Sequence, residues 1–437
     1  ARAQVPAAAG RIDIQAQANP AALVRNAQVG DGSRVLIGEG ATISTAGLLQ
    51  MPVDMASNFV EAELRINELR DSHGQADGWL YGRKVIVDRR RSGSFSGLMA
   101  GVEWVTDESG KAVKGAWVGT PLADVTGWVG NGLVTLSELA ARGGDITLRS
   151  NGSVITRPGA ILDVSGGSVR YSDGWNTETL LRGADGRSYL MSSAPADMAY
   201  VGIAGQYQQA HARWGVTQTY VNPLLSGRRW EPGYEEGREA GSIEILAGSA
   251  FILEGEFRGS VQPGDRAQQQ ADLPRAGRLM LGSDRAQEGM WTLGQVVISD
   301  RPALLPAGFA IDSLLGEDAF LAEPEGQSPG AGAGPHRTTW LSAAGLGRSG
   351  LGAIALNLSG GFALEEGAVV NLAPGASFTA AVYEGQGNPG NFEIQGSLVP
   401  PGGTITLSGG GVADSVLRLG ANSLLGGAGQ WVNGTAG

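Results

Sequence analysis

The chain of 437 residues contains no cysteine, and this absence removes several kinds of chemistry at once. Without cysteine there is no disulfide framework, no thiolate metal site and no cysteine nucleophile. Long hydrophobic runs are also missing, since no stretch approaches the roughly 18 apolar residues that a membrane-spanning helix needs. We therefore expect no membrane insertion by this chain.

Basic residues are also fewer than acidic residues. The chain has 32 Lys and Arg against 43 Asp and Glu, which gives a formal net charge of −11. So acidic a chain lacks the electrostatic footprint of a nucleic-acid-binding protein. The one basic run, Arg89–Arg91, follows Asp88 and is more typical of a solvated loop than of a phosphate-binding patch. We expect no nucleic-acid partner.

Glycine is abundant instead, with 71 residues, and it marks two recurring phrases. The first is a glycine, a small residue and a short strand, as in 40–44, 159–164 and 367–372. The second is a glycine followed by alternating polar and apolar residues, as in 144–148 and 403–407. Alternation predicts a strand with one buried face. A repeated turn-plus-strand unit is typical of a solenoid.

The two phrases also come in a fixed order. Residues 144–164 contain three short strands in succession, which is about one coil of a three-faced helix with a repeat of roughly 20 residues. We therefore predict an all-β fold, a parallel β-helix with irregular insertions. The apolar residues expected to point inward are Ile146, Leu148, Ile161, Val164, Ile243, Ile245, Ile354, Leu356, Ile405 and Leu407.

Three stretches depart from the repeat, and we interpret them as insertions on one side of the solenoid. Residues 56–92 are irregular, residues 171–240 are rich in Trp, Tyr, Arg and Glu, and residues 301–346 are rich in Pro and Gly. The expected division has coils at 1–55, 136–170, 241–300 and 347–437, an irregular insertion plus coils at 56–135, an aromatic and charged insertion at 171–240, and a Pro/Gly-rich loop insertion at 301–346.

Several phrases between residues 10 and 260 resemble one known family. They are the runs 10–17, 37–48, 119–125, 162–167, 213–217 and 232–237. As a set, they are similar to the filamentous haemagglutinin-like large exoproteins of two-partner secretion in Gram-negative bacteria. The similarity is to the C-terminal region of a proteobacterial branch of that family. Residues after 260 resemble the family only through the repeat.

The resemblance implies a right-handed parallel β-helix, export through an outer-membrane transporter partner, and a place outside the cell or on its outer surface. It implies no defined catalytic activity. The family's secretion domain carries Asn-Pro-Asn-Leu type motifs, and Asn19, Asn222 and Asn388, each followed by Pro, do not fit that context. We therefore interpret the chain as a fragment of a longer polypeptide without its secretion domain. The implied receptor is a protein or glycan of a host cell, another bacterium or the matrix.

A carbohydrate-active enzyme, a polysaccharide hydrolase or lyase, is the alternative function, because parallel β-helices also serve in that class. Glycoside hydrolysis needs two convergent carboxylates, and Asp163 is the best-placed candidate on a repeat strand. An Asp at a strand end is more typical of turn stabilisation. The histidines His73, His211 and His336 lie far apart without a second ligand at metal-binding spacing. We predict no enzymatic activity, no metal and no other cofactor.

The aromatic and charged insertion at 171–240 is the candidate recognition surface. Tyr, Trp and Arg are enriched at binding hot spots, and aromatic faces also stack on sugars. The same side chains also serve to pack an insertion against its scaffold, and the sequence leaves that alternative open. The candidate residues are Tyr207, His211, Trp214, Tyr220, Arg228, Arg229, Trp230 and Tyr234. The function expected from these observations is that of a structural and adhesive segment of a secreted bacterial surface exoprotein.

Overall fold

The structure is a computed structural model of the chain. It describes residues 4–17, 33–72, 74–107, 110–131, 134–222, 228–248, 250–267, 273–283, 293–300, 305–306, 308–313, 338–382, 391–409 and 415–428. Over these ranges the fold is all-β, as predicted, with short α-helices at Ile66–Leu69, Thr126–Gly130, Leu136–Ala140 and Ala343–Arg348. In the described ranges no helix is long and apolar enough to cross a membrane.

Contacts divide the chain into two compact units. Unit 1 comprises Ala1–Met51, Leu136–Val169 and Glu235–Gly437, and unit 2 comprises Pro52–Thr135 and Arg170–Tyr234. The chain passes from one unit to the other at four positions, and three of them lie within short strands. These strands are Met51–Val53, Ser168–Tyr171 and Tyr234–Gly237.

Unit 1 contains a seven-stranded parallel sheet, sheet 1. In spatial order its strands are Arg11–Ala16, Asp145–Ser150, Ser242–Ala247, Arg278–Leu281, Ala353–Leu358, Ser377–Val382 and Thr404–Gly409. The register aligns apolar residues in columns across the strands, because side chains alternate between the two faces of a strand. One column is Ile14, Leu148, Ile245, Leu281, Leu356, Ala380 and Leu407.

Four further parallel sheets complete unit 1. Sheet 2 has Arg34–Ile37, Ser153–Thr156 and Ala250–Leu253; sheet 3 has Gln4–Pro6, Thr42–Ser44, Ile161–Asp163 and Glu256–Arg258. Sheet 4 has Thr339–Ser342, Val296–Ser299, Phe362–Leu364, Phe392–Ile394 and Leu417–Leu419; sheet 5 has Val369–Asn371, Ser397–Val399 and Leu424–Leu425.

The chain visits these sheets in a repeated order. Residues 145–163 supply one strand each to sheets 1, 2 and 3, and residues 242–258 do the same. Residues 353–371 supply one strand each to sheets 1, 4 and 5. One strand breaks the sequence order, because Val296–Ser299 lies between Thr339–Ser342 and Phe362–Leu364 in sheet 4.

Most of the residues predicted to point inward do so. Ile146, Leu148, Val164, Ile243, Ile245, Ile354 and Leu356 are fully buried. Ile405 and Leu407 lie on the last strand of sheet 1 and are half-buried against the same core. Ile161 is a correction: Ala160, Leu162 and Val164 are the buried residues there, so the strand is offset by one position.

The two glycine phrases have different physical causes. Gly40, Gly159 and Gly367 have φ of 66°, 72° and 80°, a left-handed turn conformation that residues with a side chain rarely adopt. Gly241 instead lies so close to the strand before it that a Cβ would overlap the carbonyl oxygen of Gly144. The first phrase therefore marks turns, and the second marks close contact between stacked strands.

Most of the Pro/Gly-rich stretch lies outside the described residues, including 314–337. Its end is not loop but the strand Thr339–Ser342 followed by the helix Ala343–Arg348. Its described middle packs on sheet 2, where Leu305 joins a buried cluster with Ile155 and Ile252.

Unit 2 is built from antiparallel pairs. Phe59–Leu64 pairs with Arg83–Asp88, Ser92–Ser94 with Ala116–Val118, Val105–Thr106 with Ala112–Val113, Gly174–Asn176 with Arg229–Glu231, and Gln206–His211 with Val216–Val221. Leu180–Gly183 pairs with both Ser188–Leu190 and Tyr200–Ile203. The core of unit 2 joins Leu64, Val85 and Leu122 to Leu181 and Met191. Residues 52–135 and 170–234, which the sequence pattern separates, thus share one core.

Candidate recognition surface on unit 2

Two tryptophans face each other on a short antiparallel ribbon, formed by Gly174–Asn176 and Arg229–Glu231. Trp175 lies opposite Trp230 in the register of this ribbon. The ring centroids are 5.3 Å apart with an interplanar angle of 81°, an edge-to-face arrangement. Trp175 is 48% exposed and Trp230 is 54% exposed. Half of each large apolar side chain is therefore open to a ligand.

Two arginines lie next to this pair. The guanidinium of Arg228 lies over the ring of Trp175, 5.5 Å from its centroid, which is a cation–π contact. Arg228 and Arg229 are both exposed. Within the described ranges neither has a hydrogen-bond or ion-pair partner. We call Trp175, Trp230, Arg228 and Arg229 the aromatic patch.

The inner face of the ribbon is fixed by close packing and by charge. A Cβ at Gly174 would overlap the side chain of Met55, so only glycine allows this approach. Glu231 points inward, where its carboxylate accepts two hydrogen bonds from Arg90, of 2.7 and 3.1 Å. Arg90 also donates two hydrogen bonds to Asp88, of 2.8 and 2.6 Å. The strand that carries Trp230 is therefore anchored to the strand Arg83–Asp88.

Arg90 is the centre of this ion network. Burial alone would lower the pKa of Arg90, but its hydrogen bonds to Asp88, Glu231 and Tyr234 outweigh burial and raise the pKa. Asp88 is completely buried and lies 2.6 Å from the guanidinium of Arg90 in a buried ion pair. Two bidentate contacts from one planar guanidinium also fix the relative orientation of the two carboxylates.

Tyr234 belongs to this network and not to an exposed surface, which corrects its place among the candidate residues. Its side chain is only 7% exposed and stacks on Tyr171 with ring centroids 4.7 Å apart. Its hydroxyl accepts hydrogen bonds from Arg90 at 3.2 Å and from Asn58 at 3.4 Å. The role of Tyr234 is thus internal packing, the alternative that the sequence left open.

The other candidate residues lie on a separate hairpin, Gln206–His211 with Val216–Val221. Trp214 is highly exposed and lies 5.9 Å from the ring of His211, and Gly215 makes the left-handed turn beside it. Tyr220 is half exposed and donates a hydrogen bond to Gln218. Tyr207 is in the first strand, opposite Tyr220. The structure thus divides the predicted surface into this hairpin and the aromatic patch.

Sequence reasoning missed Trp175, which completes the aromatic patch. Trp175 is in the same aromatic stretch, but 55 positions before Trp230, and only strand pairing brings the two together. The available signal was the short run 172–176, in which turn-forming residues surround one tryptophan.

Glu178 is a buried acid of unit 2 that lies outside the hydrogen-bond network of Arg90. Burial raises the pKa of Glu178, although the hydrogen bond from Ser192 opposes this shift. The backbone N–H of Ser192 donates to Oε1 at 2.5 Å, while Oε2 is buried with no hydrogen-bond partner among the described residues. Glu178 is therefore an internal carboxyl group whose charged form is disfavoured by burial.

The candidates for catalysis and metal binding are dispersed. Asp163 accepts a hydrogen bond from the backbone N–H of Ser165 at 2.9 Å, which is the geometry of a turn-stabilising aspartate. His73 and His336 lie outside the described residues. In the part of the chain that the structure describes, no three His, Asp or Glu side chains are close enough to hold a metal ion.

The chain was compared with protein-family models, curated proteins and solved structures, and none of the three comparisons finds a match.

Proposed function

We propose that this chain is a structural and adhesive segment of a secreted bacterial surface exoprotein. The observation that carries the proposal is the aromatic patch of unit 2. Two half-exposed tryptophans and two exposed arginines stand on a ribbon whose inner face is anchored by Arg90. Trp and Arg are the residues that contribute most to binding hot spots. Holding them rigid reduces the entropy lost on binding, which favours recognition.

The scaffold in this proposal is unit 1, which we infer to be a right-handed parallel β-helix. Support comes from the seven in-register parallel strands of sheet 1 and from the repeated order in which the chain visits the sheets. Parallel strands joined by crossovers are right-handed in about 98% of cases. Each coil then stabilises its neighbours, and the assembly needs no ligand or metal to stay folded.

Localisation and partners follow from the resemblance to the haemagglutinin-like exoproteins. The proposed location is the cell surface or the surrounding medium, after export through an outer-membrane transporter. The proposed receptor is a protein or glycan of a host cell, a neighbouring bacterium or the matrix. Absence of cysteine is compatible with passage through an oxidising compartment.

Adhesion of the purified chain tests the proposal. Beads coated with the chain are applied to epithelial cells, Gram-negative cells and matrix-coated plates. The double substitution Trp175→Ala and Trp230→Ala is expected to remove most of the adhesion to at least one of these surfaces. Trp128→Ala is the matched control, because Trp128 is an exposed tryptophan of unit 2 outside the patch. Absence of adhesion by the unaltered chain, or full adhesion by the double variant, would overturn the proposal.

A further inference from the structure

Acidic residues are unevenly distributed between the two units. Unit 1 carries 17 basic and 27 acidic residues, whereas unit 2 carries 15 basic and 16 acidic residues. The negative charge of the chain therefore resides almost entirely in unit 1. Unit 2 is close to neutral, so it imposes no strong field of either sign on an approaching ligand.

Within unit 2, one long stretch has no acid at all. Residues 198–230 contain Arg213, Arg228 and Arg229 but neither Asp nor Glu, although acids make up about a tenth of the chain. The first acid after this stretch, Glu231, is turned inward and bound by Arg90. Arg228 and Arg229 are both exposed, and in the described ranges neither guanidinium is in an ion pair.

The size of the aromatic patch indicates the size of its ligand. A tryptophan offers about 250 Å² when fully open, so two half-exposed tryptophans present roughly 250 Å² together. A stable protein–protein interface needs about 800 Å² on each partner. An area of this size is comparable to that of a ligand of one to three sugar rings.

The geometry of the patch indicates the chemistry of that ligand. The two rings meet edge to face at 81° and form a corner, and about half of each tryptophan is exposed. Ring faces carry negative charge density, and the C–H groups on one side of a pyranose are weakly positive, so a sugar ring packs against such a face. The guanidinium of Arg228, which lies over the ring of Trp175, presents paired donors that fit a carboxylate.

We propose that the aromatic patch binds a carboxylated sugar, a uronic-acid residue within a polysaccharide. The sugar ring stacks in the Trp175–Trp230 corner, and its carboxylate accepts hydrogen bonds from Arg228, with Arg229 adding charge. A densely sulfated polymer fits less well, because unit 2 has no net positive charge to attract a polyanion. This inference rests on the proposed function in one respect: it takes the patch to be the adhesive surface.

Calorimetric titration of the full chain tests the ligand class. The probes are an oligogalacturonate and a hyaluronan oligosaccharide, each alongside its carboxyl-reduced form, which keeps the sugar backbone and removes the charge. Both carboxylated probes are expected to bind at least tenfold more tightly than the reduced forms. Trp175→Ala and Trp230→Ala are each expected to weaken binding at least about tenfold, which corresponds to 1.4 kcal/mol. Trp128→Ala is expected to change affinity less than twofold.

The substitution Arg228→Gln measures how much charge contributes to ligand affinity, separately from ring stacking. Arg228→Gln is expected to lower affinity for the carboxylated probes and to leave affinity for the reduced forms unchanged. Equal binding of carboxylated and reduced probes, or loss of both to the same degree in Arg228→Gln, would overturn the carboxylate assignment. Circular dichroism of each variant confirms that it is folded. Should Trp175→Ala fail to fold, Trp230→Phe replaces it, with a smaller expected loss of affinity.

The adhesion assay distinguishes failure of this inference from failure of the proposed function. A chain that adheres through the patch but binds no carboxylated probe keeps the adhesive function and overturns the sugar assignment, which makes a protein receptor the remaining partner. A chain that binds the probes but adheres to no surface supports the sugar site and overturns the adhesive function.

Discussion

Arg90 binds the carboxylate of Glu231 through two hydrogen bonds and thereby holds the residue that follows Trp230 in the chain. The backbone alternation of a strand turns Trp230 outward when Glu231 is turned inward. A buried ion pair on one face of the ribbon thus sets the position of an exposed tryptophan on the other. This arrangement makes the integrity of the patch depend on residues that are distant in sequence.

The ion network makes a direct prediction for stability. Arg90→Met removes the two hydrogen bonds of 2.8 and 2.6 Å from the fully buried Asp88 and leaves it only the longer ion pair with Arg91, at 3.8 Å. Loss of one partner from a buried ion pair costs about 3–5 kcal/mol. We expect urea unfolding of the variant to show a loss of that size. The matched control is Arg65→Met, which removes an exposed arginine paired with Glu63 and should cost less than about 1 kcal/mol. Similar losses in the two variants would show that the buried network contributes no more to stability than the exposed Arg65–Glu63 ion pair.

The sequence specified the strands of unit 1 much better than it specified unit 2. Alternation around Ile146, Leu148, Ile243 and Ile245 predicted the buried face of sheet 1, because period-two burial is a local property. The offset at Ile161 arose because a three-residue strand is too short for alternation to set its phase. The apolar run Val296–Ser299 favours a strand, but its place out of sequence order in sheet 4 depends on long-range pairing, for which there is no local signal.

The candidate site was predicted in part, for a related reason. Trp214 and Trp230 are exposed as expected, since composition alone marked the aromatic stretch. Trp175 was missed because its position depends on pairing with Trp230, and Tyr234 was misplaced because its position depends on contact with Arg90. Contacts between residues far apart in sequence decide which aromatic side chains are inside, and periodicity carries no information about them.

The loss of stability on shortening a core side chain of sheet 1 should depend on where the residue lies in its column. Leu148 is fully buried between Ile14 and Ile245, whereas Leu407 lies on the last strand of the same column and is half-buried. We expect Leu148→Ala to cost about 2–5 kcal/mol, because it leaves a cavity, and Leu407→Ala to cost clearly less. Thermal and urea unfolding of both variants measure the difference. A larger loss for Leu407→Ala would contradict the observed register.

Close stacking of strands predicts an unusual sensitivity at one glycine. Gly241→Ala places a Cβ on the carbonyl oxygen of Gly144, and the two glycines directly precede the paired strands Ser242–Ala247 and Asp145–Ser150, which restricts their movement. We expect a loss of several kcal/mol or failure to fold, in the range of severe packing defects. Gly38→Ala is the control, because a Cβ at Gly38 meets no atom within 4 Å. The yield of soluble protein and its thermal midpoint report both effects.

Burial of Glu178 predicts a pH-dependent effect of one isosteric substitution. The pKa of Glu178 is raised in the folded state from its usual value of 4.5. The group therefore stabilises the fold at pH values below 4.5, and this contribution is lost as the pH rises through the folded-state pKa. Gln stays neutral at every pH and keeps an oxygen for the N–H of Ser192. We therefore expect Glu178→Gln to exceed the unaltered chain in stability at pH 7 and to match it at pH 4. An advantage that is equal at both pH values would show that ionisation is not its cause.

The hairpin at residues 206–221 should be separable from unit 2, whereas the larger aromatic stretch should not. The side chains at 209–210 and 212–220 are exposed, and none of these side chains belongs to the core that joins Leu64 to Leu181. Replacement of 206–221 by a short Gly/Ser linker is therefore expected to leave the unfolding transition nearly unchanged. Replacement of 175–235 removes Leu181 and Met191 from that core and Glu231 from the ion network.

Circular dichroism and limited proteolysis compare the two replacements. We expect proteolysis within residues 52–135 only in the larger replacement, because their apolar partners are then missing. Adhesion gives the second readout: loss of the hairpin alone should leave adhesion intact, since the aromatic patch remains. Adhesion that disappears with the hairpin would move the recognition surface from Trp175 and Trp230 to Trp214 and Tyr220.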